Sequence, residues 1–309
     1  MITTVTLNAA IDKLYRLETF QPGKVNRVSS CAATAGGKGL NVSRAVALLG
    51  EPVLATGFCG GHSGAFLKEL LSQDQISSSF VPIAGETRTC INLIDGTGTS
   101  TELLEPGAPV DEDDLQRFNV HFDALLQETQ LTVFSGSLPC GCPEDFYAWL
   151  IRCAHNRGVR TILDASGGAL AKGIAAKPYL IKPNLEELEA LTGTSIHSKK
   201  DAAREAVKLH KSGIACVAIS LGKEGALLAC KEGVFEGTPP DVPVKNTVGC
   251  GDSMVAAFAV AIARNYSAEA ALQLALSVSS ANAMCEKTGF FHLDDLAAIL
   301  CKGQVNRLG

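Results

Sequence analysis

The chain has 309 residues, of which 46% are apolar and 19% charged, enough to bury a large core and too few charges for a disordered polymer. A net charge of −5 speaks against nucleic acid or an anionic membrane surface as a partner, so any phosphorylated ligand must be held by local cations. The opening residues lack the pattern of a secretory leader and no run long enough to span a bilayer occurs, which gives the expectation of a soluble, cytoplasmic protein.

In chain order, "TTVTLN" reads as a first strand, and "VLATGF", "LTVFSGS", "RTILDAS", "YLIKPN" and "CVAISLG" as its successors. Helical patterns fall between them at Gly39–Leu49, Ser63–Asp74, Glu144–Arg157, Asn184–Leu191, Lys199–Ser212 and Asp252–Arg264. Strands alternating with helices specify an α/β class with a parallel sheet covered on both faces. Ligands gather at the carboxyl ends of such strands. Two segments, 12–35 and about 87–105, alternate like strands without helical signal, and "DGTG" at Asp95–Gly98 reads as a hairpin turn. They fit a small second sheet that covers a ligand or pairs with another subunit, within one domain spanning 1–309.

Eleven cysteines, odd in number and scattered, do not form a disulfide framework. Cys140 and Cys142 lack the spacing of a structural zinc site. None of the Gly-Lys pairs at Gly23, Gly37 and Gly222 has the spacing of a P-loop, and "TAGGKGLNVSRAVALLG" has no dinucleotide fingerprint and follows no early strand in the manner of one. That stretch offers close backbone approach at Gly36 and Gly37, a cation at Lys38 and an amide at Asn41, a set suited to polyol hydroxyls or phosphates. Late in the chain, "NTVGCGDS" sets Gly249 and Gly251 around Cys250, then Asp252 at the start of an apolar helix. Freed amides at a helix start bind anions, although Asp252 or Ser253 serving as a plain helix cap is an equal reading of that stretch alone.

Four motifs in order, "GGKGLNV", "IKPNLEE", "SLGKEGA" and "NTVGCGDS", resemble the ribokinase-like PfkB sugar kinases over essentially the whole chain. "TLNAAID", "NRV", "GETRT", "TELLEPG" and "SGSLP" resemble the branch that phosphorylates hexose monophosphates. The resemblance implies a three-layer α/β/α sandwich with a β-sheet lid, and ATP and Mg²⁺ as cofactors. In-line phosphoryl transfer needs a base for the attacking hydroxyl and relief of charge on the transferred group. By resemblance Asp252 is that base and Val248, Gly249, Cys250, Gly251 and Asp252 form the anion hole. Cys250 stands where a small residue is usual and would expose the site to oxidation.

The resemblance places Lys38 near a phosphate, and Asp12 with Asn41 and Gly37 at the sugar hydroxyls. Arg88, Arg27 and possibly Lys24 would grip the sugar's phosphate, and Ser137 would add a hydroxyl. Asn184 and Glu187 share a helical face at its first turn, with an outer-sphere role around Mg²⁺ implied and an N-cap as the alternative. Ser220 and Gly222 would border the ATP phosphates and Asn282 the adenine. The implied reaction makes a hexose bisphosphate, with tagatose 6-phosphate preferred to fructose 1-phosphate as acceptor. A non-catalytic sugar-phosphate sensor and a kinase for unphosphorylated sugars remain as rivals. Pairing of two lids would give a homodimer.

Overall fold

The computed structural model describes residues 1–300 and 302–308. Its main sheet runs in the order 304–308, 233–238, 226–230, 216–220, 180–181, 160–164, 131–135, 2–6, 53–59 and 77–78, with 81–82 also paired to 53–59. From 216–220 to 77–78 the neighbours are parallel, whereas 226–230, 233–238 and 304–308 add an antiparallel edge. Alternation along the strands divides the core in two. Val133, Ile162 and Ala218 point to one side, where the helices Lys38–Leu48, Cys250–Ala263 and Ala268–Ala283 pack. Phe134, Leu163, Val217 and Ile219 point to the other, among Glu112–Leu125, Phe146–Asn156 and Lys199–Lys211. The result is the three-layer α/β/α sandwich expected from strand alternation.

The expected helices form with ends moved by a residue or two, as at Lys38–Leu48, Gly61–Gln73 and Cys250–Ala263. Ala268–Ala283 was not expected from the pattern because it has almost no polar stripe. It packs against Cys250–Ala263, itself buried from Asp252 to Ile262, so neither presents a continuous polar face to solvent.

A second sheet of four strands takes the order Ser30–Gly36, Ala10–Arg16, Arg88–Ile94, Ser100–Leu104. The last two strands form a hairpin in which Gly98 N–H donates to Asp95 O at 2.9 Å and Asp95 Oδ1 accepts from the Thr97 and Thr99 amides. The glycine-rich loop therefore does follow a strand, Ser30–Gly36, but one of this smaller sheet. The chain passes directly from it into the helix Lys38–Leu48, which brings the small sheet against the carboxyl ends of the main one. No described helix is long and apolar enough to cross a membrane.

Candidate active site

A cleft of about 870 Å³ lies between the two sheets. Its main-sheet wall is built from strand ends and helix starts: Lys38, Asp164, Lys182, Asn184, Gly251 and Asp252. Asp12 and Arg88 come from the small sheet. The wall is polar because helix amides and strand carbonyls at these ends lack partners within their own elements.

The turn before Cys250–Ala263 explains the glycines around Cys250. Gly249 is the N-cap residue at φ 82°, a left-handed conformation, and a Cβ there would lie 2.6 Å from Thr288 Cγ2 and 2.9 Å from Gly289 N. A Cβ on Gly251 would meet only the end of the Lys182 side chain, Nζ at 3.5 Å and Cε at 3.9 Å, so the space over the first turn is open and faces an ammonium. The amides of that turn have no intrahelical carbonyl to bind. Asn282 holds the turn from behind: its Nδ2 donates to Val248 O at 3.1 Å and to Cys250 Sγ at 3.4 Å, and its Oδ1 accepts from Ser253 Oγ at 3.1 Å.

Asp252 is 7% exposed, and its Oδ2 accepts from Asn41 Nδ2 at 2.8 Å. Burial, reinforced by the charge of Asp164, pushes its carboxyl up to about 6, against the opposing pull of Asn41, Lys38 and Lys182. It is ionised at neutral pH, yet basic enough to take a proton from a bound hydroxyl. No side chain caps this helix, so Asp252 does not serve as the cap that was its competing reading.

Asp164, not foreseen as a site residue, is 1% exposed, with both carboxylate oxygens lacking a hydrogen bond. Lys182 Nζ lies 3.3 Å from Oδ1 and Lys38 Nζ 3.7 Å from Oδ2. The carboxylate of Asp164 raises the pKa of Lys38 and so keeps that ammonium charged. The two ammoniums are balanced by the carboxylates of Asp164 and Asp252, and they place N–H donors beside the glycine turn, where a transferred phosphoryl group would gather negative charge. Asp164 ends the "RTILDAS" strand and Lys182 stands two residues before Asn184. Their strand-end positions were the available signal.

On the opposite wall, burial pushes Asp12 up to about 6, with Arg88, the Gly37 amide and Arg44 pulling it down. Gly36 sits so close that a Cβ there would overlap the Asp12 carboxyl. Arg88 donates from Nε and Nη2 to Asn8 O at 3.2 and 3.0 Å and from Nη1 to Glu105 O at 2.9 Å. A guanidinium has five N–H groups, so part of its fork stays free for a ligand. If a ligand must meet Asp12 and Asp252 both as anions, the acid limb of kcat/KM falls near pH 6 with a slope approaching two. Asp12→Asn brings the slope down by about one, whereas a limb set by the substrate's own phosphate would not change.

Asn184 and Glu187 form a capping box: Asn184 Oδ1 accepts from Glu187 N at 2.8 Å and Glu187 Oε2 from Asn184 N at 3.0 Å. Both also line the cleft, as do Ser220, Val248, Gly37 and Asn41. Other expected residues are not on its wall. Arg27 is exposed on the connection between the strands Ala10–Arg16 and Ser30–Gly36. Ser137 instead accepts from Asn8 Nδ2 at 3.3 Å, and Gly222 begins a short 3-10 turn. Asn282 is fully buried behind the glycine turn and not on the cleft wall, with its Nδ2 donating to Val248 O and Cys250 Sγ and its Oδ1 accepting from Ser253 Oγ. Cys250 also turns away from the cleft, and burial pushes its thiol up from the ordinary value, the opposite of what easy oxidation requires.

Such a fold and cleft define a ribokinase-like phosphoryl-transfer enzyme. The model of the pfkB family carbohydrate kinases matches residues 5–295, and the chain belongs to that family. Over 297 residues it is 38% identical to a tagatose-6-phosphate kinase of Staphylococcus epidermidis, covering 95% of this chain and 96% of that one. Phosphofructokinase-2 of Escherichia coli, solved with potassium, superposes with a TM-score of 0.91 at 31% identity over 97% of each chain. A possible 1-phosphofructokinase of Thermotoga maritima superposes with a TM-score of 0.87 at 28% identity, over 100% of this chain and 99% of that one.

Proposed function

We propose tagatose 6-phosphate as the acceptor of this ATP-dependent hexose-phosphate kinase, with the 1,6-bisphosphate and ADP as products. The 38% identity to a tagatose-6-phosphate kinase supports the acceptor, and the juxtaposition of Asp252, the open glycine turn and the Lys38–Asp164–Lys182 group in one cleft with Asp12 and Arg88 supports the phosphoryl transfer. In the reaction Asp252 Oδ1 takes the hydroxyl proton as the sugar oxygen bonds to the γ-phosphorus and the bond to the ADP oxygen breaks. Lys38, Lys182 and the first-turn amides bind the equatorial oxygens. Asp12 accepts from a sugar hydroxyl, and the free edge of Arg88 meets the sugar's own phosphate.

Mg²⁺ would neutralise the nucleotide phosphates. Among the described residues no trio of Cys, His, Asp or Glu is placed to hold a metal, and Glu187 keeps one carboxylate oxygen outside its capping box. That donor set fits an ion that retains most of its water and touches Asn184 and Glu187 through it.

A panel of sugar phosphates assayed with ATP and Mg²⁺ tests the acceptor. The highest kcat/KM is expected on tagatose 6-phosphate; a maximum on fructose 1-phosphate reassigns the acceptor. Binding without turnover on every sugar makes the chain a sensor.

The small sheet acts as a lid and as the contact of a homodimer. On its edge strand Ser100–Leu104, Leu103 is 54% exposed, and Val25, on the connection between Ala10–Arg16 and Ser30–Gly36, is 83% exposed. Covering such side chains is worth about 25 cal/mol per Å² of apolar surface. Sedimentation at micromolar concentration decides it, and a fully active monomer rejects the dimer.

A further inference from the structure

Asn41 lies between two groups of opposite hydrogen-bonding character. Its Nδ2 donates to Asp252 Oδ2 at 2.8 Å, and its Oδ1 accepts from Arg44 Nη1 at 3.2 Å. A guanidinium can only donate and an ionised carboxylate can only accept, so one amide orientation satisfies both neighbours. Turned over, the amide would set oxygen against carboxylate and N–H against guanidinium.

Arg44 is itself firmly held. At 3% exposure it donates from Nε to Asp74 Oδ2 at 2.7 Å, from Nη1 to Thr288 O at 3.2 Å and from Nη2 to Ala35 O at 2.9 Å. Lys287 Nζ secures the other Asp74 oxygen at 2.8 Å. The Thr288–Gly289 segment is wedged between two parts of the site: a Cβ on Gly289 would lie 2.9 Å from Asn41 Cα, and one on Gly249 would lie 2.6 Å from Thr288 Cγ2.

We propose that Arg44 is a positioning residue for phosphoryl transfer: it locks the Asn41 amide so that an N–H holds Asp252 Oδ2 and leaves Oδ1 to take the sugar's proton. The inference rests on the reading of Asp252 as base. Arg44 is not on the cleft wall and reaches Asp252 through Asn41; its charge also pulls down the Asp12 carboxyl, and Arg44→Lys, which keeps that charge, separates the two effects. The charges that face Asp252 are Asp164 at the end of its strand, Lys38 at its helix start and Lys182 beyond the strand Leu180–Ile181. Substituting Arg44 changes none of them. It removes one of the two constraints on the amide, so Asn41 Nδ2 holds Asp252 Oδ2 less firmly and the charged form of the carboxylate is less favoured.

The test is the pH profile of kcat for Arg44→Met, Arg44→Lys, Asn41→Leu and the Arg44→Met/Asn41→Leu double variant, with folding checked by circular dichroism and thermal melting. Arg44→Met should lose roughly tenfold or more in kcat at pH 7 and move the acid limb up by about one pH unit, while KM for ATP stays within about threefold. Arg44→Lys should behave alike, because its single ammonium goes to Asp74 and cannot also reach the amide. The double variant should be no worse than Asn41→Leu, since both act on one interaction. If Arg44→Met does not fold, Arg44→Lys decides. A folded variant at position 44 that keeps the wild-type limb and kcat overturns the proposal, and so does a double variant in which the losses multiply. A wild-type enzyme that phosphorylates no sugar, or an Asp252→Asn enzyme that still turns over normally, overturns the reading of the base instead.

Discussion

Asp252→Asn is expected to lower kcat by about 10²–10⁴-fold, the range of a general base, with ATP and sugar affinities within about tenfold of the wild type. The amide preserves the shape and can still accept from Asn41 Nδ2. The same change should raise stability. The folded-state value of Asp252, about 6, lies above its ordinary 3.8, so ionisation costs folded stability as the pH rises through that interval. At pH 8 the neutral amide relieves a cost of up to about 3 kcal/mol, and the gain disappears below pH 4, where the wild-type carboxyl is already neutral. Thermal melting at the two pH values, beside steady-state kinetics, reads both effects. Normal turnover in the variant removes Asp252 as the base, and a variant less stable at pH 8 shows that burial is not the dominant influence on its carboxyl.

Arg88→Ala is expected to raise KM for the phosphosugar by about 30–150-fold, equivalent to about 2–3 kcal/mol for a charge-assisted contact, with KM for ATP nearly constant. The carbonyls of Asn8 and Glu105 lose their donors in the same variant, so a lower melting temperature should accompany the kinetic change. Arg88→Lys separates the two: one ammonium can restore positive charge to the phosphate or bond a carbonyl, but it lacks the fork that does both. Equal rises in KM for sugar and nucleotide would put Arg88 outside the sugar subsite.

The stretch Val248–Asp252 was legible because its chemistry is local: glycines permit the turn, the helix supplies amides and the carboxylate stands in the first turn. The N-cap reading of the N-x-x-E pair was legible because the capping box is a property of spacing, and the strand end before it marks the cleft that both residues line. The partners of Asn282 were not legible, for a physical reason. A polar residue in an apolar helix signals that its amide is satisfied, but the sequence does not say whether a ligand or the protein satisfies it. Arg27 shares the basic character of Arg88, and only the pairing of Arg88–Ile94 with Ala10–Arg16 brings one of them to the cleft. Asp164 had the weakest local signal, a lone aspartate at a strand end. Its weight comes from Lys38 and Lys182, which reach it from distant parts of the chain.

The wedge of Thr288 and Gly289 between Asn41 and Gly249 also has a meaning for biosynthesis. The base depends on a helix near the amino terminus, while the turn that receives the phosphoryl group is braced by residues close to the carboxyl terminus. Contacts that join such distant parts form late, because closing long loops is slow and costly. A nascent chain that has not yet emerged past residue 289 therefore has the glycine-rich loop and the small sheet but no completed catalytic centre. Completion of the centre therefore waits on the segment that carries Thr288 and Gly289.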